Sequence, residues 1–255
     1  MQTETATLLS YLPDKSRDVT IKFADKMMES FTDNLVSVIL YGSAAGRQDA
    51  ASEGNFIEGK SDINILIILQ SVRAVDLNIV LDNGKKFFKK GLAVPLVFER
   101  DHIKTSLDTF PIEFSDIKNR HIVLFGTDPF EKAEIDGRNL RYQCERELKS
   151  MLVNLRRGFV QTDGNREALE ALLSKSFSSV LAACRGLIWL AGQMAPDNIP
   201  GVLEILKDTY KIDVSAIERV WRLRKGESGA TALLEAIFDD YTRNIAKLAS
   251  VVDNL

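Results

Sequence analysis

The chain is poor in cysteine and histidine: in 255 residues there are only Cys144 and Cys184, and only His102 and His121. Two thiols cannot make the disulfide framework of a small secreted domain, and no signal peptide is evident. A reducing cytoplasm is therefore the expected setting, with both thiols buried as small hydrophobes. The histidines are not spaced as a metal pair and no Cys/His cluster exists, which argues against a zinc site. No apolar run approaches the roughly 18 residues that a membrane span needs, so no membrane partner is expected. Neither sign of charge dominates: a net charge of -3 and a pI of about 5.6 make no global field toward nucleic acid or an anionic membrane. A nucleic-acid partner is thus not expected, though a local basic patch is compatible with these totals. The chain also lacks a P-loop, a GxGxxG turn after a strand and a Gly-x-Ser-x-Gly elbow.

What is present is an ordinary globular composition, 45% hydrophobic and 27% charged, in a chain long enough for two domains with real cores. The organising stretch runs from Val38 to Leu69. An apolar strand, Val36 to Tyr41, runs into Gly42-Ser43; after a polar loop, a second apolar strand begins through Ser61-Asp62-Ile63-Asn64. In an extended strand Asp62 and Asn64 project to one face and Ile63 and Ile65 to the other. A Gly-Ser turn leaving a strand and opening a helix offers backbone N–H groups and a hydroxyl to an anion. Set beside the oxygen pair, it would let magnesium sit between protein oxygens and triphosphate oxygens. The plainer readings are that Gly42-Ser43 only turns the chain and that Asp62 only caps the loop.

On either side the pattern is legible. Leu8, Leu9 and Leu12 precede a break at Pro13-Asp14, and Val19, Phe23, Met27 and Phe31 recur at helical spacing. Val75 to Lys90 reads as a helix broken or weakened near Asn83-Gly84; its lysines, Lys85, Lys86, Lys89 and Lys90, read as a solvated helix end, with a nucleic-acid contact as the sharper alternative. Val94 to Phe98 reads as a third strand, Asp101 as a cap, FPIEF as extended or briefly helical, and Ile122 to Phe125 as a strand. Gly126-Thr127-Asp128-Pro129 is the clearest punctuation, dividing an expected α/β domain over 1–129 from a helical domain over 130–255. Beyond it the period is helical throughout: a stripe from Leu140 to Phe159, a central helix over Arg166 to Gln193, shorter helices over Val202 to Tyr210 and Val214 to Arg224, and a last one over Ala230 to Val252. These read as an up-down bundle of four or five helices, making the whole chain α+β.

At Gly42-Ser43 and Asp62-Ile63-Asn64 the chain resembles the nucleotidyltransferase superfamily, whose polymerase-beta-type fold includes kanamycin nucleotidyltransferase. More narrowly, YGSAAG, SDIN and FPIEFSDIKNRHIVLFGTDPF are similar to bacterial predicted nucleotidyltransferases of undefined substrate. The resemblance covers about residues 30 to 130. It implies a mixed sheet, a magnesium cofactor and a nucleoside triphosphate as substrate, with the acceptor in a cleft beside the helical domain. In this chain Asp62 would hold the metal with help from Asn64, while Ser43 and the Gly42 amide grip phosphate. Three features depart from the family pattern. The loop between the signature halves is long, the second acid is the neutral Asn64, and Pro95 stands where a third acid is expected. Glu99, which shares a strand face with Val97 and Pro95 but lies further along the strand, and Glu113, an acid within an apolar run, are candidate substitutes; surface or salt-bridge roles are the alternative for both. Arg47 and Lys60 are candidates to hold triphosphate oxygens, or else are solvated loop charges.

Three functions follow as expectations. The first is magnesium-dependent transfer of a nucleoside monophosphate to a hydroxyl of a small-molecule or protein acceptor. The second is a nucleotide-binding or interaction module of the same fold that has lost chemistry, which the neutral Asn64 and Pro95 would suit. The third is a structural partner for another protein, with a homodimer among the open arrangements.

Overall fold

The computed structural model describes residues 6–46, 56, 58, 61–227 and 234–255, and the chain is α+β. It forms two compact units. One holds the described residues up to Leu107 together with Phe114–Glu134; the other holds Asp108–Glu113 and Ile135–Leu255.

The first unit is built on a four-stranded mixed sheet in the order β3-β2-β1-β4. β1 (Leu35–Tyr41) pairs antiparallel with β2 (Asn64–Leu69) and with β4 (His121–Gly126), while β2 pairs parallel with β3 (Leu96–Glu99). β1 and β2 are central strands. Their near-continuous apolar sequences follow from burial on both faces rather than one. On one face Val38, Leu40, Ile65 and Ile67 pack with α1 (Asp14–Phe31) and α2 (Ala74–Phe88). Phe23 of α1 meets Phe87 of α2 edge-on at 5.4 Å. Ile39, Leu66 and Ile68 are buried on the other face. Phe98, the cross-strand partner of Ile68, begins a chain of ring contacts there through Phe114 at 6.2 Å and Phe130 at 6.3 Å.

The structure corrects some local expectations and bears out others. α2 runs unbroken through Gly84, because a Cβ there would stand 2.3 Å from the Phe88 ring: the glycine makes room for the ring and does not break the turn. The exposed lysines of its last turn behave as a helix end, with Lys86 over the Phe87 ring at 4.9 Å. β3 starts after Pro95, which has no N–H to give a ladder. Asp101 precedes α3 (His102–Ser106) without a side-chain cap bond, and FPIEF opens a helix, α4 (Pro111–Asn119). β2 begins only at Asn64. Ile63 makes an isolated parallel bridge to Leu92, and Asp62 lies outside the strand.

In the second unit, α5 (Gly137–Gln161) packs on α6 (Arg166–Leu190) and α9 (Leu234–Asp253). α6 also meets α7 (Ile199–Tyr210) and α8 (Ser215–Lys225). Asp136, Asn165 and Asn198 each cap a helix, their side chains accepting from Arg138, Ala168 and Gly201 backbone N–H at 2.7 Å. α7 begins three residues before Val202, with Pro200 in its first turn, where a missing N–H costs nothing. α6 is long and apolar enough by composition to cross a membrane, and over half of its most apolar stretch is buried within the unit, as befits the central helix.

Both cysteines are buried and free. Burial pushes each thiol up to about 12. Neither is therefore expected to react with a thiol reagent in the native protein, and both should react on unfolding. In the unfolded chain these thiols deprotonate near their ordinary value, while in the fold they hold their protons. Their contribution is thus full below about pH 8.5 and is lost as pH rises, by about 1.4 kcal/mol per pH unit for each thiol. Urea midpoints should fall on the alkaline side, and Cys144→Ala/Cys184→Ala should flatten that fall.

Candidate functional site

The turn and the start of the second strand come together at one end of the sheet. Tyr41, the last residue of β1, is the cross-strand partner of both Asn64 and His121. Directly paired residues project to the same face, so Asn64, Tyr41 and His121 form a polar row across three strands. The chain leaves Tyr41 through a 3-10 turn, Gly42–Ala45, instead of the expected helix. Gly42 has φ +76°, and a Cβ on it would stand 3.2 Å from Asn64 Nδ2. Both conditions favour glycine: the left-handed backbone, and the amide packed against the position a side chain would need.

Other residues anchor this corner. The Gly42 N–H donates to the Arg120 carbonyl at 3.1 Å, so it is engaged within the fold and not free to grip phosphate as expected. Arg120 is itself buried and paired with Asp116. The Tyr11 hydroxyl donates to the Ala44 carbonyl at 2.7 Å. His121 Nδ1 lies 3.0 Å from the Ile117 and Lys118 carbonyls, and its Nε2 lies 3.1 Å from Asp128 Oδ1. Burial raises the Tyr41 hydroxyl above its ordinary value. Tyr41 and His121 escaped the sequence reading because nothing local marks them. Only the pairing of β4 with β1 brings them beside Asn64.

Of the expected site residues, Gly42, Ser43, Asp62 and Asn64 gather at this corner. Ser43 and Asn64 are half-buried and Asp62 is exposed. Glu99 does not join them. It pairs with Leu69, five residues along β2 from Asn64, which at about 3.3 Å per residue is roughly 16 Å away. There its Oε1 accepts the Val72 N–H at 3.1 Å, closing the connection from β2 to α2. Glu113 is exposed on α4, not buried in an apolar run, and belongs to the helical unit, where it accepts from Gln143 Nε2 at 2.7 Å. Arg47 and Lys60 lie outside the described residues.

The stretch of the β3 approach nearest Asn64 is set by two pairings, Ile63 with Leu92 and Leu66 with Leu96. Between them lie Ala93, Val94 and Pro95, none of them acidic, and Val94 is 76% exposed. Among the described residues no group of three or more His, Cys, Asp or Glu comes together to hold a metal. One carboxylate and one amide do not fit the several carboxylates of a two-metal transfer centre. A scan against protein-family models finds no match, and a search of curated proteins finds no relative.

Proposed function

We propose that the N-terminal unit binds a nucleoside triphosphate at the corner between the Gly42–Ala45 turn and the start of β2, as a nucleotidyltransferase-type module. One observation carries the reading: left-handed Gly42 packs against Asn64, with Asp62 exposed just ahead of it. Ser43 and the backbone that follows it would contact phosphate oxygens, and Asn64 would donate its amide to the nucleotide. Binding without transfer is favoured because Ala93, Val94 and Pro95 bring no acid to Asn64, and because Glu99 is engaged with the Val72 N–H, opposite Leu69 on β2. The second reading is transfer of a nucleotidyl group to a hydroxyl. Exposed Asp62 supports it, as a carboxylate able to accept the acceptor's proton.

Calorimetric titration with ATP, with and without magnesium, tests the first reading, and incorporation of α-labelled triphosphate into candidate acceptors tests the second. The wild type is expected to bind ATP even without magnesium. Gly42→Val should weaken binding by about tenfold or more, because its side chain occupies the space of the Asn64 amide. Metal-dependent binding with an Asp62-dependent product would replace the module by the enzyme. Absence of binding by any common nucleotide would leave a purely structural role.

A further inference from the structure

The outward face of α5 carries a line of residues unlike an ordinary solvated helix surface. Tyr142, Arg146, Lys149, Val153, Arg156 and Val160 follow one another at alternating intervals of four and three, and all are exposed. Tyr142, Val153 and Val160 are 61%, 63% and 77% exposed. With 3.6 residues per turn, these positions make one seam about 27 Å long. The buried residues Leu140, Cys144, Leu148 and Leu155 lie on the opposite side. A single exposed valine means little, but Tyr142, Val153 and Val160 lie on one seam at intervals of eleven and seven, with Arg146, Lys149 and Arg156 at the 4-3 positions between them, and a seam of that period is the geometry by which a second helix packs at a shallow angle.

Charge narrows what that helix is. α5 has six Arg or Lys against two Glu, a local excess of 6 − 2 = +4 in a chain of net charge -3. Lys149 is already held by Glu145 at 2.6 Å and Asp253 at 3.3 Å, and Arg146 lies 3.4 Å from Glu147. Among the described residues Arg156 has no acidic partner.

We propose that this face is a docking surface for an acidic amphipathic helix of a partner protein. Its apolar residues would cover Tyr142, Val153 and Val160, and its carboxylates would meet Arg146 and Arg156. A second copy of this chain is a poor occupant, because pairing the seam with itself sets cations against cations or against valine. Nucleic acid is also a poor occupant: Val153 within the seam and Val160 at its end neither stack on bases nor bond phosphates. The proposal is independent of the nucleotide reading, since every residue it uses lies in the helical unit.

The test is fluorescence anisotropy of a labelled synthetic peptide of repeated heptads, with leucine at its seam and glutamate flanking it. The full chain is titrated in, beside the same peptide with lysine for glutamate, an RNA oligonucleotide, and vesicles containing phosphatidylserine. The acidic peptide is expected to bind in preference to all three, more weakly as salt rises. Val153→Glu/Arg156→Glu should weaken that binding by about tenfold or more, the loss typical of anchor residues, with helix content unchanged by circular dichroism. The proposal fails if the acidic peptide does not bind or binds no better than the lysine peptide. It fails equally if RNA or vesicles bind more tightly, or if the double variant binds as well as the wild type.

Discussion

Gly126→Ala is expected to unfold the N-terminal unit or leave it barely stable. Gly126 closes β4 opposite Ser37 with φ +86°, and an added Cβ would stand 1.9 Å from the Val36 carbonyl oxygen and 2.9 Å from the Ser37 Cα. Both are backbone atoms of the central strand, where β1 is irregular against β2, so neither can rotate out of the way as a side chain could. The left-handed backbone costs roughly 1–2 kcal/mol for an L side chain, and forcing atoms into filled space roughly 1–3 more. The sum, about 2–5 kcal/mol, is a large part of the roughly 5–15 kcal/mol that holds a typical domain. Gly164→Ala separates the two causes, for Gly164 has φ +73° with nothing within 4 Å of an added Cβ. Urea denaturation should show only the smaller backbone cost there, and hydrogen exchange in Gly126→Ala should show β1 and β4 losing protection. Equal losses in the two variants would mean that backbone conformation alone, and not the contact with Val36, sets the cost.

Tyr241→Ala should be the most damaging single truncation in the helical unit. Tyr241 is fully buried in α9, and burial holds its hydroxyl well above the ordinary tyrosine value. Its oxygen lies 3.2 Å from Ser176 Oγ, which is also 2.7 Å from the Leu173 carbonyl. A carbonyl only accepts, so Ser176 donates its proton there and the tyrosine hydroxyl donates to Ser176. Removing the ring is expected to cost about 3–5 kcal/mol, while Tyr241→Phe, which loses only the hydrogen bond, costs about 1 kcal/mol. Both tryptophans, Trp189 and Trp221, lie in this unit, so intrinsic fluorescence reads its unfolding directly. A phenylalanine variant as unstable as the alanine one would show that the hydroxyl, not the packing of the ring, is what the core depends on.

The contrast between what could and could not be read from the chain is clearest at the candidate corner. The apolar runs of β1 and β2, the Gly42-Ser43 turn and the approach through Asp62 were legible because each is written within a few consecutive residues. The same holds for the stripe of α5, whose buried Leu140, Cys144, Leu148 and Leu155 recur with the helical period. Glu99 shares a strand face with the position expected for a site acid, but how far along the strand it stands is not written in neighbouring residues. Register decides that, and it sets Glu99 against Leu69. The break expected at Gly84 was wrong for a related reason: the glycine answers to the Phe88 ring and not to the local turn.

Sequence alone determined the α+β class, the order of the four strands and the long helices along the chain and the burial of both thiols, since periodicity and local turn chemistry encode all of these. Tertiary structure alone decided that the Gly42 N–H is spent on Arg120, that Tyr41 joins Asn64 and His121 in one row, and that Glu99 stands opposite Leu69, five residues along β2 from Asn64. These depend on pairing between strands far apart in the chain, where a slip of one residue would turn every side chain to the opposite face.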